Sequence, residues 1–320
     1  MVDLKSDSEV TRQAHEELLQ QVRTLSDQLA AVTAREAELR LLLERDTELE
    51  LLLDRLDRTI DKSRNVPDIT AAIDAAQLHL DPFPYTVIDN LFPKQLYDSL
   101  LRGLPPAPLF KGKVPGKEHL AVPFTLAPAY SQRVWGYVAT NLVPHVIAPR
   151  IVEKFRAPID EWIVRNWPGL DPASVTLHGS DGRIMLRRRG YRIMPHRDPK
   201  WSFITCILYL ARPEDGDAWG TQLYAVENDQ EARSAAPYWI DETQCRLAAD
   251  VNFRPNRLLV FLNSVGAHGA FIPADAEPAD LERYIYQFRV GPPLDTITML
   301  KSHMPPEQQA LWTGQSRIDY

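Results

Sequence analysis

The chain has 320 residues, of which 44% are hydrophobic, so it is long enough for one large catalytic domain with an appendage. Residues 1–66 hold 10 basic and 15 acidic residues, which accounts for most of the net charge of -7, and the near-neutral remainder gives no support to a large nucleic-acid-binding surface. Two cysteines without metal or disulfide spacing, no signal-peptide core and no apolar run of roughly 18 residues predict a cytoplasmic protein that does not enter a membrane.

The first segment, residues 8–66, contains no Gly or Pro and is rich in good helix formers, so we predict one long helix. Apolar residues first follow the spacing of a coiled coil, at Leu18, Val22, Leu25, Leu29, Val32 and Leu39. The stripe continues in a shifted register at Leu42, Leu49, Leu52 and Leu56, so we expect a break near residues 39–49. Three uses of the stripe remain open: a coiled coil that makes a homo-oligomer, packing on the chain's own domain, or binding a partner helix.

The second domain, residues 67–320, begins with Pro67 and Asp68, which are expected to end the long helix. The helices expected next lie at 69–80 and 93–104, with two or three more in 131–166. Residues 81–93 are expected to hold an edge strand and 105–128 a loop.

Strands are expected from residue 174 onward, at 174–179, 183–192, 202–210, 221–226, 257–263, 268–273 and 283–290. Short strands that follow helices predict an α+β fold, a jelly-roll barrel of the double-stranded β-helix type with its core at about 174–292. Residues 227–250 are polar and are expected to be an insertion, and the tail 295–320 has only weak helical signals.

The most informative stretch is Gly190 to Leu210, which contains His196-Arg197-Asp198 and then an alternating strand pattern. A His and an Asp two residues apart can direct a ring nitrogen and a carboxylate oxygen to one metal ion. With a third, distant His they make the 2-His-1-carboxylate triad of non-haem iron oxygenases, which leaves positions on Fe(II) open. A second such triplet, His79 to Asp81, is expected to lie in a linker and is not predicted to bind metal.

Further motifs surround His196: Gly190-Tyr191 before it, Thr205 to Leu210 after it, and Arg283-Tyr284 at the start of the last strand. In this order they resemble the Fe(II)/2-oxoglutarate-dependent dioxygenases, most of all the prolyl-hydroxylase branch, over about residues 82–292. The resemblance implies that His268 is the third ligand and that the protein uses Fe(II), 2-oxoglutarate and O2. It also implies a co-substrate pocket in which Arg283 and Tyr209 hold the distal carboxylate and Thr205 and Ile207 line the walls.

The sequence departs from that family at two places. The segment from His268 to Arg283 is longer than usual, which keeps Arg289 open as the carboxylate-binding arginine. The two arginines share a strand face but lie about 20 Å apart, so only one can reach a given carboxylate. Met185, Leu186 and Arg187 stand where relatives often place a cofactor-binding Tyr.

The strand after the metal motif has two different faces. Alternation places Phe203, Thr205, Ile207 and Tyr209 on one face, and the wholly apolar Ile204, Cys206, Leu208 and Leu210 on the other, where helices should cover them. The arginine run at 187–189 has two interpretations, solvated or salt-bridged side chains, or a contact to an anionic substrate.

The resemblance implies an oxidoreductase that hydroxylates an unactivated C–H bond of a small-molecule or peptidyl substrate while 2-oxoglutarate is decarboxylated to succinate. The alternative is a coiled-coil interaction protein whose jelly roll is a non-catalytic binding module. The sequence does not indicate which substrate is bound.

Overall fold

The computed structural model describes residues 4–50, 52–121, 123–180, 182–199, 201–227, 238–306 and 309. Its N-terminal helices are α1 (Leu4–Glu50), α2 (Leu53–Thr59) and α3 (Lys62–Ala75). The expected break comes after Glu50 rather than within 39–49. Pro67 lies inside α3 and does not end a helix, which corrects the prediction. The boundary lies earlier because Asp61 caps α3, its carboxylate accepting a hydrogen bond from the Ser63 backbone N–H at 2.9 Å.

The apolar stripe of α1 and α2 has two different environments. Its first part is exposed, with 55–67% of the surface accessible at Leu18, Val22, Leu25, Leu29 and Val32. Its second part is buried: Leu42 packs with Leu109, and Leu49 and Leu56 belong to the main hydrophobic core. The second half of the segment is therefore docked on the chain's own domain.

The remaining helices cover one side of the molecule. They are α4 (Lys94–Arg102), α5 (Ala129–Tyr137), a π-helical segment (Val138–Ile147), α6 (Ala148–Lys154), α7 (Arg156–Asn166) and α8 (Leu294–Ser302). Pro144 lies in the π-helical segment, so the interruption expected there is a widened turn and not a helix end. Among the described residues, no helix is both long and apolar enough to cross a membrane.

The described strands are all antiparallel. In chain order they are β1 (Leu78–His79), β2 (Tyr85–Ile88), β3 (Phe110–Val114), β4 (Lys117–Leu120), β5 (His178–Gly179), β6 (Arg183–Arg187), β7 (Arg192–Arg197), β8 (Ile204–Tyr209), β9 (Thr221–Val226), β10 (Tyr238–Trp239), β11 (Cys245–Val251), β12 (Arg257–Leu262), β13 (Ala267–Phe271) and β14 (Arg283–Gly291). The larger sheet has the order β1-β2-β12-β8-β14-β6-β4-β3, with β5 also paired to β14, and the smaller has the order β10-β7-β13-β9-β11.

Three segments differ from the sequence prediction. The region 105–128 contains the hairpin β3–β4 and is not simply a loop; its strands are too short and polar to show alternation, although Gly116, with φ of +68°, marks their turn. The stretch 183–192 is not one strand, because β6 ends at Arg187 and a turn with Gly190 at φ of +76° leads into β7. The supposed insertion 227–250 includes β11, and its residues 228–237 lie outside the described part.

The larger sheet separates two hydrophobic layers. Ile204, Cys206, Leu208 and Leu210 pack on the helix side, which confirms the predicted face. Ile207 and Tyr209 face the smaller sheet and share a cluster with Leu223 of β9. Phe203 breaks the expected alternation: it precedes β8 and stacks on Trp167 among the helices, with ring centroids 6.1 Å apart.

Candidate metal centre

The three predicted metal ligands come from two neighbouring strands of the smaller sheet. His196 near the end of β7 lies directly opposite His268 in β13, and Asp198 follows β7 immediately. One ligand atom from each residue lies within 4.8 Å of the other two, and all three side chains are buried. The Asp198 carboxylate is 3.9 Å from Nε2 of His196 and 4.0 Å from Nε2 of His268. His79 is elsewhere, stacked on Tyr85 at the edge of the larger sheet.

Both histidines are prepared to act as neutral ligands. The Nδ1 atom of His196 lies 2.8 Å from the Met194 carbonyl oxygen, so Nδ1 carries the proton and donates it there, which leaves the lone pair on Nε2. Burial lowers the pKa of His196, and burial together with the proximity of His196 lowers the pKa of His268 to about 3. At neutral pH each imidazole can therefore offer a nitrogen lone pair to a cation.

Asp198 is held as a carboxylate by polar groups on two strands of the larger sheet. Its Oδ1 accepts a hydrogen bond from Nη2 of Arg289 at 3.0 Å, and its Oδ2 accepts one from Oγ1 of Thr205 at 2.5 Å. The amide of Asn263 donates to the same Thr205 oxygen at 2.9 Å and orients the hydroxyl group. Burial opposes the charge on Asp198, but the positive charge of Arg289 and the Thr205 hydrogen bond favour it, and the pKa of this carboxyl lies below its usual range.

These contacts involve two residues that the sequence had associated with the co-substrate. Thr205 was expected to line the co-substrate pocket, but its hydroxyl group is engaged by Asp198 and Asn263. Arg289 was the alternative arginine for the distal carboxylate, but its guanidinium is beside the metal ligands and pairs with Asp198. Thr205 and Arg289 are direct partners in the pairing of β8 with β14, and the sequence could reveal this contact only if that pairing were known.

The other residues predicted for the co-substrate pocket, Ile207, Tyr209 and Arg283, also lie in β8 and β14. Ile207 lines the cavity next to the triad, whereas Tyr209 is fully buried, and burial raises the pKa of its phenol to about 12. Arg283 is 3% exposed and lies over the Phe253 ring, 4.8 Å from its centroid, while the Tyr209 ring lies 5.3 Å from the same Phe253. Tyr209 and Arg283 therefore both lie against the Phe253 ring.

The triad opens into a cavity of about 1100 Å³. One wall carries Lys117 and His119 of β4, which sequence reasoning missed because 105–128 was expected to be a loop. Another carries Trp239, whose ring centroid lies 5.0 Å from that of His196 and whose side chain is 58% exposed. Its position in an aromatic pair within a polar segment was the only available signal for Trp239.

The donor set suits a divalent transition metal. Two neutral imidazole nitrogens and one carboxylate oxygen converge on one point and lie beside an open cavity, the arrangement that leaves coordination positions free on Fe(II). The hydrogen bonds from His196 to Met194 and from Thr205 to Asp198 are the outer contacts that typically orient metal ligands.

Comparisons with known proteins give similarities of fold. A Pseudomonas putida prolyl-4-hydroxylase is 13% identical with a TM-score of 0.39, covering 71% of this chain and 100% of that one. HygX from Streptomyces hygroscopicus, with nickel, 2-oxoglutarate and hygromycin B bound, is 16% identical with a TM-score of 0.37, covering 66% of this chain and 83% of that one. The α-ketoglutarate-dependent epimerase SnoN is 12% identical with a TM-score of 0.37, covering 75% of this chain and 89% of that one. No protein-family model and no curated protein matches the chain.

Proposed function

We propose that this chain is an Fe(II)/2-oxoglutarate-dependent oxygenase that hydroxylates a C–H bond of a small-molecule or peptidyl substrate. The convergence of buried His196, Asp198 and His268 beside a large cavity carries the proposal. When bound, iron and 2-oxoglutarate supply the oxidising chemistry: one oxygen atom of O2 enters the substrate hydroxyl group and the other enters succinate as CO2 is lost. The remaining steps are the work of the chain's own residues.

Each side chain has a defined part in this proposal. His196, Asp198 and His268 would hold the iron, and Arg289 and Thr205 keep the Asp198 oxygens oriented and charged. Arg283 and Tyr209 would hold the distal carboxylate of 2-oxoglutarate. Support for Arg283 comes from its burial without a hydrogen-bond partner for Nε among the described residues, since a buried guanidinium without an anion is costly.

The order of the strands supports the jelly-roll prediction. From β6 to β9 the chain alternates between the larger and the smaller sheet, and it alternates again from β11 to β14. We infer that the two sheets are the two halves of a double-stranded β-helix with the metal centre between them. Among the described strands no ladder of hydrogen bonds joins the two sheets, so this inference rests on the order of the strands.

We also propose that the chain self-associates through the first part of α1. Five apolar residues at coiled-coil spacing are more than half exposed there, and an apolar helix stripe of this length is normally covered in water. A second copy of the same helix offers a matching stripe.

The test of the proposed activity is succinate formation. Purified protein with Fe(II), ascorbate and 2-oxoglutarate should form succinate slowly even without substrate, and Asp198→Ala should abolish it together with Fe(II) binding. Asp81→Ala is the matched control, because Asp81 belongs to the other His-x-Asp triplet. If the wild-type protein binds neither Fe(II) nor 2-oxoglutarate, the chain is instead the non-catalytic interaction protein.

A further inference from the structure

A row of cations crosses three neighbouring strands of the larger sheet. Arg187 of β6 is the direct partner of Arg283 in β14 on one side and of Lys117 in β4 on the other. Directly opposed residues in a sheet point to the same face, so the three side chains project together from one face. Arg187 is 7% exposed, and Lys117 is half-buried, with a pKa lowered by burial and by Arg187. Like charges in this arrangement repel one another unless an anion is bound between them.

The arginines of this face have no acidic partner in the described part of the chain. The Arg187 guanidinium lies over the Tyr191 ring, 5.0 Å from its centroid, and no carboxylate is within ion-pair distance of Arg187, Arg183 or Arg283 among the residues that the structure describes. The opposite face is different. Arg188, which follows β6 immediately, is paired with both Glu118 and Glu282. Glu118 and Glu282 thus lie on the outer face, whereas Arg183, Arg187 and Arg283 on the cavity face have no carboxylate partner among the described residues.

Basic side chains also outnumber acidic ones along the described wall of the cavity. Arg183, Arg187 and Lys117 all line the cavity, and Asp198 is the only carboxylate among its described lining residues. His119 lies on the same wall, where burial and the charges of Lys117 and Arg183 lower its pKa. The two charges of Fe(II) and the two of 2-oxoglutarate cancel each other, so loading the metal centre would leave this excess of positive charge in place.

We propose that the substrate carries a phosphate or carboxylate group, which is bound by Arg183 and Arg187 with Lys117 beside them. This inference rests on the proposed function, in which Arg283 already serves the single distal carboxylate of 2-oxoglutarate. Trp201 and Trp239 line the cavity as well and give the organic part of such a substrate an apolar surface. An Arg side chain is suited to this role because its planar fork donates two parallel hydrogen bonds to a phosphate or carboxylate.

The test uses small probes that combine a ring with different charges. Phenyl phosphate, benzoate and uncharged benzyl alcohol are titrated calorimetrically into the anaerobic complex of the full-length protein with Fe(II) and 2-oxoglutarate. We expect one or both anions to bind on the order of tenfold more tightly than benzyl alcohol, about 1.4 kcal/mol, with an affinity that falls as salt is raised. Stronger binding of phenyl phosphate assigns the group to a phosphate, and stronger binding of benzoate assigns it to a carboxylate.

Charge variants locate the site. Arg183→Gln and Arg187→Gln should each weaken anion binding about tenfold while the affinity for 2-oxoglutarate changes little. Arg254→Gln is the matched control, because Arg254 is an exposed arginine paired with Asp217 outside the cavity. Equal binding of charged and uncharged probes, anion affinities unaffected by the variants, no anion binding at millimolar concentration, or variants that lose 2-oxoglutarate instead would each overturn the inference. Wild-type protein that binds the anions but neither Fe(II) nor 2-oxoglutarate would overturn the proposed function and leave an organic-anion site.

Discussion

Replacing Arg283 with Met separates a binding role from a structural one, because the two roles predict opposite effects on stability. Methionine keeps most of the apolar stem and removes the guanidinium, which is 3% exposed and whose Nε has no hydrogen-bond partner among the described residues. A buried unsatisfied donor costs about 1–3 kcal/mol, and a directly opposed like charge, here Arg187, costs about 0.2–1 kcal/mol more. The lost interaction with the Phe253 ring offsets about 0.5–2 kcal/mol of this. The metal-free variant should therefore be more stable by about 1–2 kcal/mol.

The same substitution should weaken co-substrate binding. Truncating one member of a buried charge pair typically costs about 2–5 kcal/mol. The dissociation constant of 2-oxoglutarate should therefore increase by a factor of between about 30 and about 5000. Arg283→Lys keeps the charge but loses the two-pronged contact and should fall between Met and wild type. Urea unfolding of the metal-free proteins measures the first effect, and anaerobic titration of the Fe(II)-loaded proteins with 2-oxoglutarate measures the second.

The exposed Arg254 again provides the control, because Arg254→Met should change neither quantity by more than about 0.5 kcal/mol. A variant at Arg283 that is destabilised by more than about 1 kcal/mol and binds 2-oxoglutarate normally would refute the reasoning. Arg283 would then be a structural residue that stabilises the space between the sheets, and the carboxylate-binding arginine would have to be sought elsewhere.

Three further predictions concern the metal ligands and the N-terminal helix. His196→Ala should abolish Fe(II) binding measured by anaerobic titration, whereas His79→Ala should bind normally; equal losses would exclude the triad. The free energy of unfolding of the metal-free protein should fall as the pH is lowered below 6.5, by up to about 1.4 kcal/mol per pH unit, because the unfolded chain takes up a proton that folded His268, with a pKa of about 3, does not. Urea unfolding of His268→Gln between pH 6.5 and 5 should show a shallower dependence, and an unchanged slope would contradict this. Deleting residues 1–38 should reduce the mass in solution to that of a monomer, by light scattering, without loss of iron binding; an unchanged mass would refute self-association through α1.

The metal ligands could be predicted from the sequence because their chemistry is local and their motifs are ordered. His196 and Asp198 are two residues apart, and the strand patterns around them placed them at the end of one predicted strand and just before another. The face of β8 that packs on the helices could also be predicted from the sequence, because strict alternation assigns Cys206 and Leu208 to the same face.

The polar contacts around the ligands could not be predicted in this way, because they depend on which strands are neighbours. Arg289 and Thr205 are 84 residues apart in the printed sequence and meet at Asp198 only through the pairing of β8 with β14. The row of cations depends on the addition of the short hairpin β3–β4 to the edge of β6, where Lys117 becomes the partner of Arg187. Neither strand of that hairpin has the apolar alternation by which a strand is recognised in a sequence.

The hairpin also connects the N-terminal helix with the cavity. Lys111 of β3 forms an ion pair with Glu38 of α1, and Leu120 of β4 packs against the cluster that contains Leu42. Lys117 and His119 of β4 line the cavity. Removing all of residues 1–66 would therefore delete buried core residues as well as the exposed stripe proposed for self-association. It would take Leu42 from beneath the hairpin and Leu49 and Leu56 from the main core, where losing one buried Leu side chain typically costs about 2–5 kcal/mol. The exposed stripe before residue 38 can be a separate assembly element, but the helix beyond it supports a wall of the site.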